Sequence, residues 1–219
     1  PTIRYSPKVM NEASTEFVHG KLTVTGEGKM TNYKAGTAPW AEYAAEITEI
    51  EVANGITYIG RSAFYGLASV TKVTLPEALE EIGDYAFYNL AKVTTIDVAK
   101  TVVSVGVQFI RGTAITEIDL SNVVTVAANA LGRADSLASV TFGEVAKNFK
   151  GSIFYSETVT VKAPKDSYAD KYVELYDEKY GKAYPEVSVS FEAKGTAARP
   201  VVVFESAGDN AFFAIYQRK

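Results

Sequence analysis

Ile56-Thr57-Tyr58-Ile59-Gly60-Arg61-Ser62-Ala63-Phe64 and Leu79-Glu80-Glu81-Ile82-Gly83-Asp84-Tyr85-Ala86-Phe87 are one pattern written twice. The copy around the first stretch opens at Ile47, continues through Ile50 and Val52, and closes at Leu67; the second opens at Val70, with Val73 and Leu75, and closes at Leu90. Three looser copies start at Val93 (Ile96, Val98, Val105-Gly106, Ile110), Ile115 (Ile118, Leu120, Val126, Ala130-Leu131) and Leu137 (Val140, Phe142, Phe149, Ile153-Phe154). Each start follows the last by about 22 or 23 residues. A fixed period of this size predicts stacked coils, in which each unit covers the apolar face that its neighbour leaves open. Function is then expected from an extended surface, not from a pocket.

Each copy opens apolar-x-x-apolar-x-apolar, the strand pattern of a leucine-rich repeat. Strand side chains alternate, so Ile50, Val73, Ile96, Ile118 and Val140 point inward and their neighbours point out. The outward residues form two columns: Glu49, Lys72, Thr95, Glu117, Ser139 and Glu51, Thr74, Asp97, Asp119, Thr141. Adjacent coils lie about 4.8 Å apart, so these columns predict side-chain ladders. The apolar-Gly step (Ile59-Gly60, Ile82-Gly83, Val105-Gly106) predicts a tight bend with positive φ, loosening where Ala127 and Lys150 replace glycine. A short helical segment is expected over the Ala-Phe step. Phe64, Phe87, Ile110, Leu131 and Phe154 read as a core ladder, each contributing about 1.5–3 kcal/mol when buried.

The two quoted stretches resemble the BspA-like, Treponema-type leucine-rich repeat proteins. The lead-in from Gly20 to Met30, followed by Tyr33 and Pro39-Trp40, is similar to the element that precedes the first repeat in that family. The likeness covers about residues 20 to 164 and weakens after the second copy. It implies a bacterial surface or secreted protein with an adhesive role and no catalytic machinery to carry over.

A stacked array leaves apolar faces and strand edges open at both ends, so caps are expected. At the start, Leu22 and Val24 read as a strand, two glycines and Met30 as its return, and Trp40 as a plug over the first coil. At the other end Val159 to Val161 reads as a degraded sixth strand stopped by Pro164. Ser167 and Asp170 have capping-box spacing and Gly181 is a terminator, which predicts one helix over 168–180. Tyr168, Tyr172, Tyr176 and Tyr180 fall on one face of it, either packed on the last coil or offered as an aromatic strip to a carbohydrate or protein. Runs at Val187 to Phe191, Pro200 to Phe204 and Ala211 to Tyr216, with a Gly208-Asp209-Asn210 turn, predict a small three-stranded antiparallel unit docked on the helix or solenoid end.

Composition narrows the function classes. Among 219 residues the formal net charge is -4, which removes the basic footprint of a nucleic-acid or anionic-membrane binder. No apolar run reaches the roughly 18 residues of a membrane span. Cysteine is absent, so thiolate chemistry and disulfides are excluded. The chain opens at Pro1 with no initiating Met, which leaves open whether a leader has been removed. One histidine, His19, lies in a polar stretch far from any nucleophile turn, and Gly26-Glu27-Gly28 lacks the third glycine of a dinucleotide loop. No cofactor and no dedicated metal set is expected, although Asp97 stacked on Asp119 beside Glu117 would attract a basic segment or Ca²⁺.

The expected organisation is an N-terminal β cap (1–46), leucine-rich repeats forming a right-handed α/β solenoid with parallel strands (47–164), a capping helix (165–183) and a β unit (184–219). The expected function is noncatalytic recognition of an extracellular protein or glycan, as a monomer, without membrane insertion or nucleic-acid binding. Candidate binding residues are Glu49, Glu51, Lys72, Asp97, Glu117, Asp119 and the four helix tyrosines. The rival readings are a polysaccharide-acting enzyme on a coil scaffold and a structural spacer.

Overall fold

The computed structural model describes residues 3–5, 14–18, 20–196, 202–205 and 212–215, with side chains described over 20–195. His19 and the Gly208-Asp209-Asn210 turn lie outside them. The repeat folds as a coil with three backbone-bonded sides. On the first side, Lys21–Thr25, Glu49–Val52 and Lys72–Thr74 pair in parallel, with Leu22 opposite Ile50 and Ile50 opposite Val73. Ser14–Val18 and Ile3–Tyr5 extend this sheet as antiparallel strands. The sheet stops at the third copy and resumes with Glu117–Leu120, Ser139–Phe142 and Thr158–Lys165, again parallel. The interruption falls where the spacing between copy starts drops from 23 to 22 residues.

The second side is a sheet that the sequence reading did not contain. Six short parallel strands, Gly28–Lys29, Ile56–Ile59, Glu81–Ile82, Ser104–Val105, Thr125–Val126 and Asn148–Phe149, stack one per coil. Their buried residues Ile59, Ile82, Val105, Val126 and Phe149 form a core ladder. Directly after each strand comes the position held by Gly60, Gly83 and Gly106. These glycines do not have positive φ, contrary to the expected bend. A Cβ on Gly83 would stand 2.8 Å from the Ile59 carbonyl oxygen, and one on Gly60 or Gly106 would run into the backbone of Thr31 or Asp84. Glycine is needed because successive coils approach too closely for a side chain.

The third side carries the Ala-Phe step as a run of tight turns, not the expected helix. Left-handed backbone recurs at Ser62, Tyr85, Gln108 and Asn129, and again four residues later at Gly66, Asn89, Gly112 and Arg133. A helix would turn its N–H groups along its own axis; these turns direct them at the next coil instead. Phe64 donates to the Ala86 carbonyl, Phe87 to Phe109 and Leu131 to Ile153, each at 2.9 Å. These buried backbone donors thereby find partners on the next coil, as burial demands. Phe64, Phe87, Ile110, Leu131 and Phe154 are all fully buried beneath this side.

Trp40 closes the first coil. Its ring stacks on Phe64 at 5.8 Å, Phe64 stacks on Phe87 at 5.8 Å, and the indole N–H donates to the Ala63 carbonyl at 2.8 Å. The indole is thus a buried plug whose one polar atom is bonded.

The far end departs from expectation in three places. The sixth strand runs through Pro164 to Lys165, and its register shifts between Ala163 and Lys165, which is where a residue without an N–H is tolerated. The single predicted helix is two, Tyr168–Glu174 and Tyr176–Tyr180, broken at Leu175. The first has Ser167 as N-cap, accepting from the Asp170 N–H, while the Asp170 carboxylate accepts from Asp166 at 2.7 Å and pairs with Lys165 at 2.9 Å. Finally, the three-stranded antiparallel unit does not form. Among the described residues Ser188–Thr196 joins the solenoid sheet as a parallel neighbour of Thr158–Lys165, while Val202–Glu205 and Phe212–Ile215 pair antiparallel with each other. Val187, Val189 and Phe191 pack against the core, so burial on the existing sheet outweighs a local hairpin.

Candidate functional site

The strand face places the acidic candidates less favourably than their spacing suggests. Lys21 stands opposite Glu49, which stands opposite Lys72, so that column alternates in sign. Lys21 pairs with Glu51, and its own pKa is raised by that hydrogen bond. Lys162 lies 3.7 Å from Glu117. The Asp119 carboxylate accepts from the Ser121 N–H at 2.8 Å and from its hydroxyl, so it serves a local turn. Asp97 is exposed on the segment where the sheet is interrupted, with no strand register to Asp119. Among the described residues no group of three or more His, Asp or Glu converges as a metal site.

The tyrosine candidates turn inward. Tyr168, Tyr172 and Tyr176 are buried, which removes them as a ligand-facing strip; Tyr180 is half-buried at its edge. Their hydroxyls bond the backbone of the last coil, answering the question of where those polar ends go. Phe149 donates to the Tyr168 oxygen at 3.3 Å, Ile153 donates to the Tyr172 oxygen at 2.9 Å, and the Tyr176 hydroxyl meets the Ser152 hydroxyl. Burial pushes Tyr168 and Tyr176 up to about 12 and raises Tyr172 and Tyr180 well above the ordinary phenol value.

The turn side carries a cluster that reading the strand columns missed. Arg61, Arg111 and Arg133 are the three arginines between residues 20 and 195, and all emerge here. Each guanidinium lies over a tyrosine ring: Arg61 over Tyr85 at 5.7 Å, Arg111 over Tyr88 at 5.0 Å, Arg133 over Tyr155 at 4.5 Å. Tyr65 stacks on Tyr88 at 4.4 Å with 7° between the planes, and Tyr85 meets Tyr88 edge-on at 6.1 Å. None of the three arginines enters an ion pair among the described residues, whereas lysines do so repeatedly.

The backbone beneath this row is fixed by buried or bridging side chains. Asn32 accepts from the Arg61 N–H at 2.7 Å and from the Tyr58 hydroxyl at 2.8 Å. Asp84 accepts from Val107 at 2.8 Å. The Glu157 carboxylate, only 4% exposed, accepts from the N–H groups of Arg133, Tyr155 and Ser156. The hydrogen bond to Tyr155 holds Arg133 above its ordinary pKa. The signal was present in the sequence, because Tyr65, Tyr88, Arg111 and Tyr155 occupy one repeat position; the core reading of the adjacent Phe column drew attention away from it.

The model of the BspA type Leucine rich repeat region matches residues 41–160 in six copies. Among solved structures, the chain is similar to a leucine-rich repeat protein from Eubacterium ventriosum ATCC 27560, with 17% identity over 89% of this chain and 73% of that one and a TM-score of 0.46. It is also similar to the T. pallidum leucine rich repeat protein, with 15% identity over 71% and 86% of the two chains and a TM-score of 0.46. A leucine-rich repeat protein from Bacteroides ovatus ATCC 8483 aligns at 16% identity over 71% and 55%, with a TM-score of 0.42. No curated protein matches.

Proposed function

The chain belongs to the BspA-type leucine-rich repeat family, and from that premise we propose a noncatalytic recognition protein, carried on or released from a bacterial surface, that binds an extracellular protein or glycan as a monomer. The observation that carries this reading is the side-chain columns, repeated once per coil on a backbone held on three sides by inter-coil hydrogen bonds. Such a surface is rigid before binding, so little conformational entropy is lost when a partner docks. No helix among the described residues is long and apolar enough to cross a membrane, which fits display outside the bilayer. The test is a screen of purified protein against immobilised extracellular-matrix proteins and glycans, with a parallel assay for polysaccharide cleavage. Saturable binding without turnover is expected. Cleavage would replace recognition by catalysis, and silence in both assays would leave a spacer.

A further inference from the structure

Resting on the recognition reading, we infer that the binding surface is the arginine–tyrosine row of the turn side and that it takes an extended acidic segment of a partner polypeptide. The chain is acidic overall, yet Arg61, Arg111 and Arg133 gather on one side without an ion pair among the described residues. Asp135 acts on Arg133 from a distance and forms no bridge with it. A carboxylate brought to this row therefore meets donors that no internal acid has taken.

A guanidinium lying over a ring is held in place and presents in-plane N–H groups that can grip a carboxylate; Arg111 spends one of them on the Gln108 side-chain oxygen at 3.1 Å and Arg133 one on Tyr155, which leaves the others to a ligand. Arg61 belongs to the first coil, Arg111 to the third and Arg133 to the fourth. With coils about 4.8 Å apart, the first and last arginines are offset by roughly 14 Å along the stack, the length of about four or five residues of extended chain. Alternate side chains of such a strand face one way, so a Glu-x-Glu-x-Glu segment presents its acids to the row.

The ring contacts favour a peptide over other polyanions. A pyranose needs an open ring face to stack on, and here one face of Tyr65 and one of Tyr155 are taken, while Tyr88 is covered by both Tyr65 and Arg111. A polynucleotide needs a broader basic footprint than three arginines on a chain of net charge -4. Tyrosine and arginine held rigid at a surface are the side chains that dominate protein–protein binding.

Fluorescence anisotropy of the full chain with a labelled alternating Glu-Ser decapeptide tests the inference, using a Gln-Ser decapeptide as the neutral control and a heparin oligosaccharide as the acidic-glycan arm. Saturable binding of the Glu-Ser peptide that weakens with salt is expected, with none of the Gln-Ser peptide. Arg111→Gln with Arg133→Gln should weaken it at least about tenfold, and Arg111→Lys with Arg133→Lys should restore only part, since lysine keeps charge and loses the fork. Glu178→Gln, exposed on the second terminal helix, should change nothing. Failure to bind the Glu-Ser peptide, equal binding by the Arg→Gln variant, or capture of heparin alone would overturn the proposal. If the surface screen still yields a ligand that the Arg→Gln variant binds equally, recognition stands and this row is excluded; if both experiments are silent, both readings fall.

Discussion

Phe87 shows what a single residue does in a stacked coil. It lies between Phe64 and Ile110 and is fully buried, so Phe87→Ala removes its transfer free energy and leaves a cavity that neighbouring coils fill poorly. A loss of about 3–5 kcal/mol is expected in denaturant unfolding; an unchanged midpoint would contradict the register. The glycines separate two physical reasons for one residue type. Gly83→Ala forces a methyl against the Ile59 carbonyl oxygen and the Arg61 backbone nitrogen, both 2.8 Å from the Cβ position, and should cost about 1–3 kcal/mol. Gly66 has φ +77 and open space around it, and the next coil carries Asn89 there with φ 59, so Gly66→Asn should cost under about 1 kcal/mol. Comparing the two unfolding midpoints checks the distinction. The sequence located the apolar-Gly step, but a bend and a close approach leave the same mark in one chain. Only the position of the neighbouring coil tells them apart.

At the scale of elements, the tyrosine helices are the most informative part. Their spacing was legible because four tyrosines at every fourth residue demand one face; their break at Leu175 was not, since no proline or glycine marks it. Tyr172→Phe leaves the Ile153 N–H buried without its 2.9 Å acceptor, which should cost about 1–3 kcal/mol while the helices still pack. Alkali tests the same contact. Burial pushes Tyr168 and Tyr176 from an ordinary 10.0 up to about 12, so the folded state holds both protons more tightly than the unfolded chain does. Their contribution is complete below pH 10 and is lost as pH rises toward 12, on the order of 3 kcal/mol for each group. Unfolding midpoints followed from pH 8 to 12 should fall as buried phenolate absorbance appears. Ionisation of these tyrosines near 10 without loss of stability would contradict the cap. The strand at Ser188–Thr196 was readable as a strand from its alternation, but not its partner, because alternation specifies a buried face and leaves open which edge supplies it.

Across the whole molecule, the period alone determined that coils stack and which residues line the core. It left out the second sheet, most of whose strands are two residues long and too short to alternate visibly, and the turn ladder, whose first left-handed position is held by Ser, Tyr, Gln and Asn and never by glycine. The candidate surface was less legible still: of the exposed acids found by spacing, Glu51 and Glu117 pair with lysines of the chain and Asp119 caps a local turn, while the arginine–tyrosine row depends on how turns from different coils align. The central claim is that one continuous stack is closed by the tyrosine cap and the added strand. Sedimentation velocity of a chain ending at Pro164 tests it against the full chain. Removing both elements exposes the last coil and the edge of what remains of the sixth strand, from Thr158 to Pro164, and unpaired edges template further pairing. Self-association or loss from solution is the predicted result; a truncated chain that stays monomeric, with an unchanged melting temperature, would contradict the account.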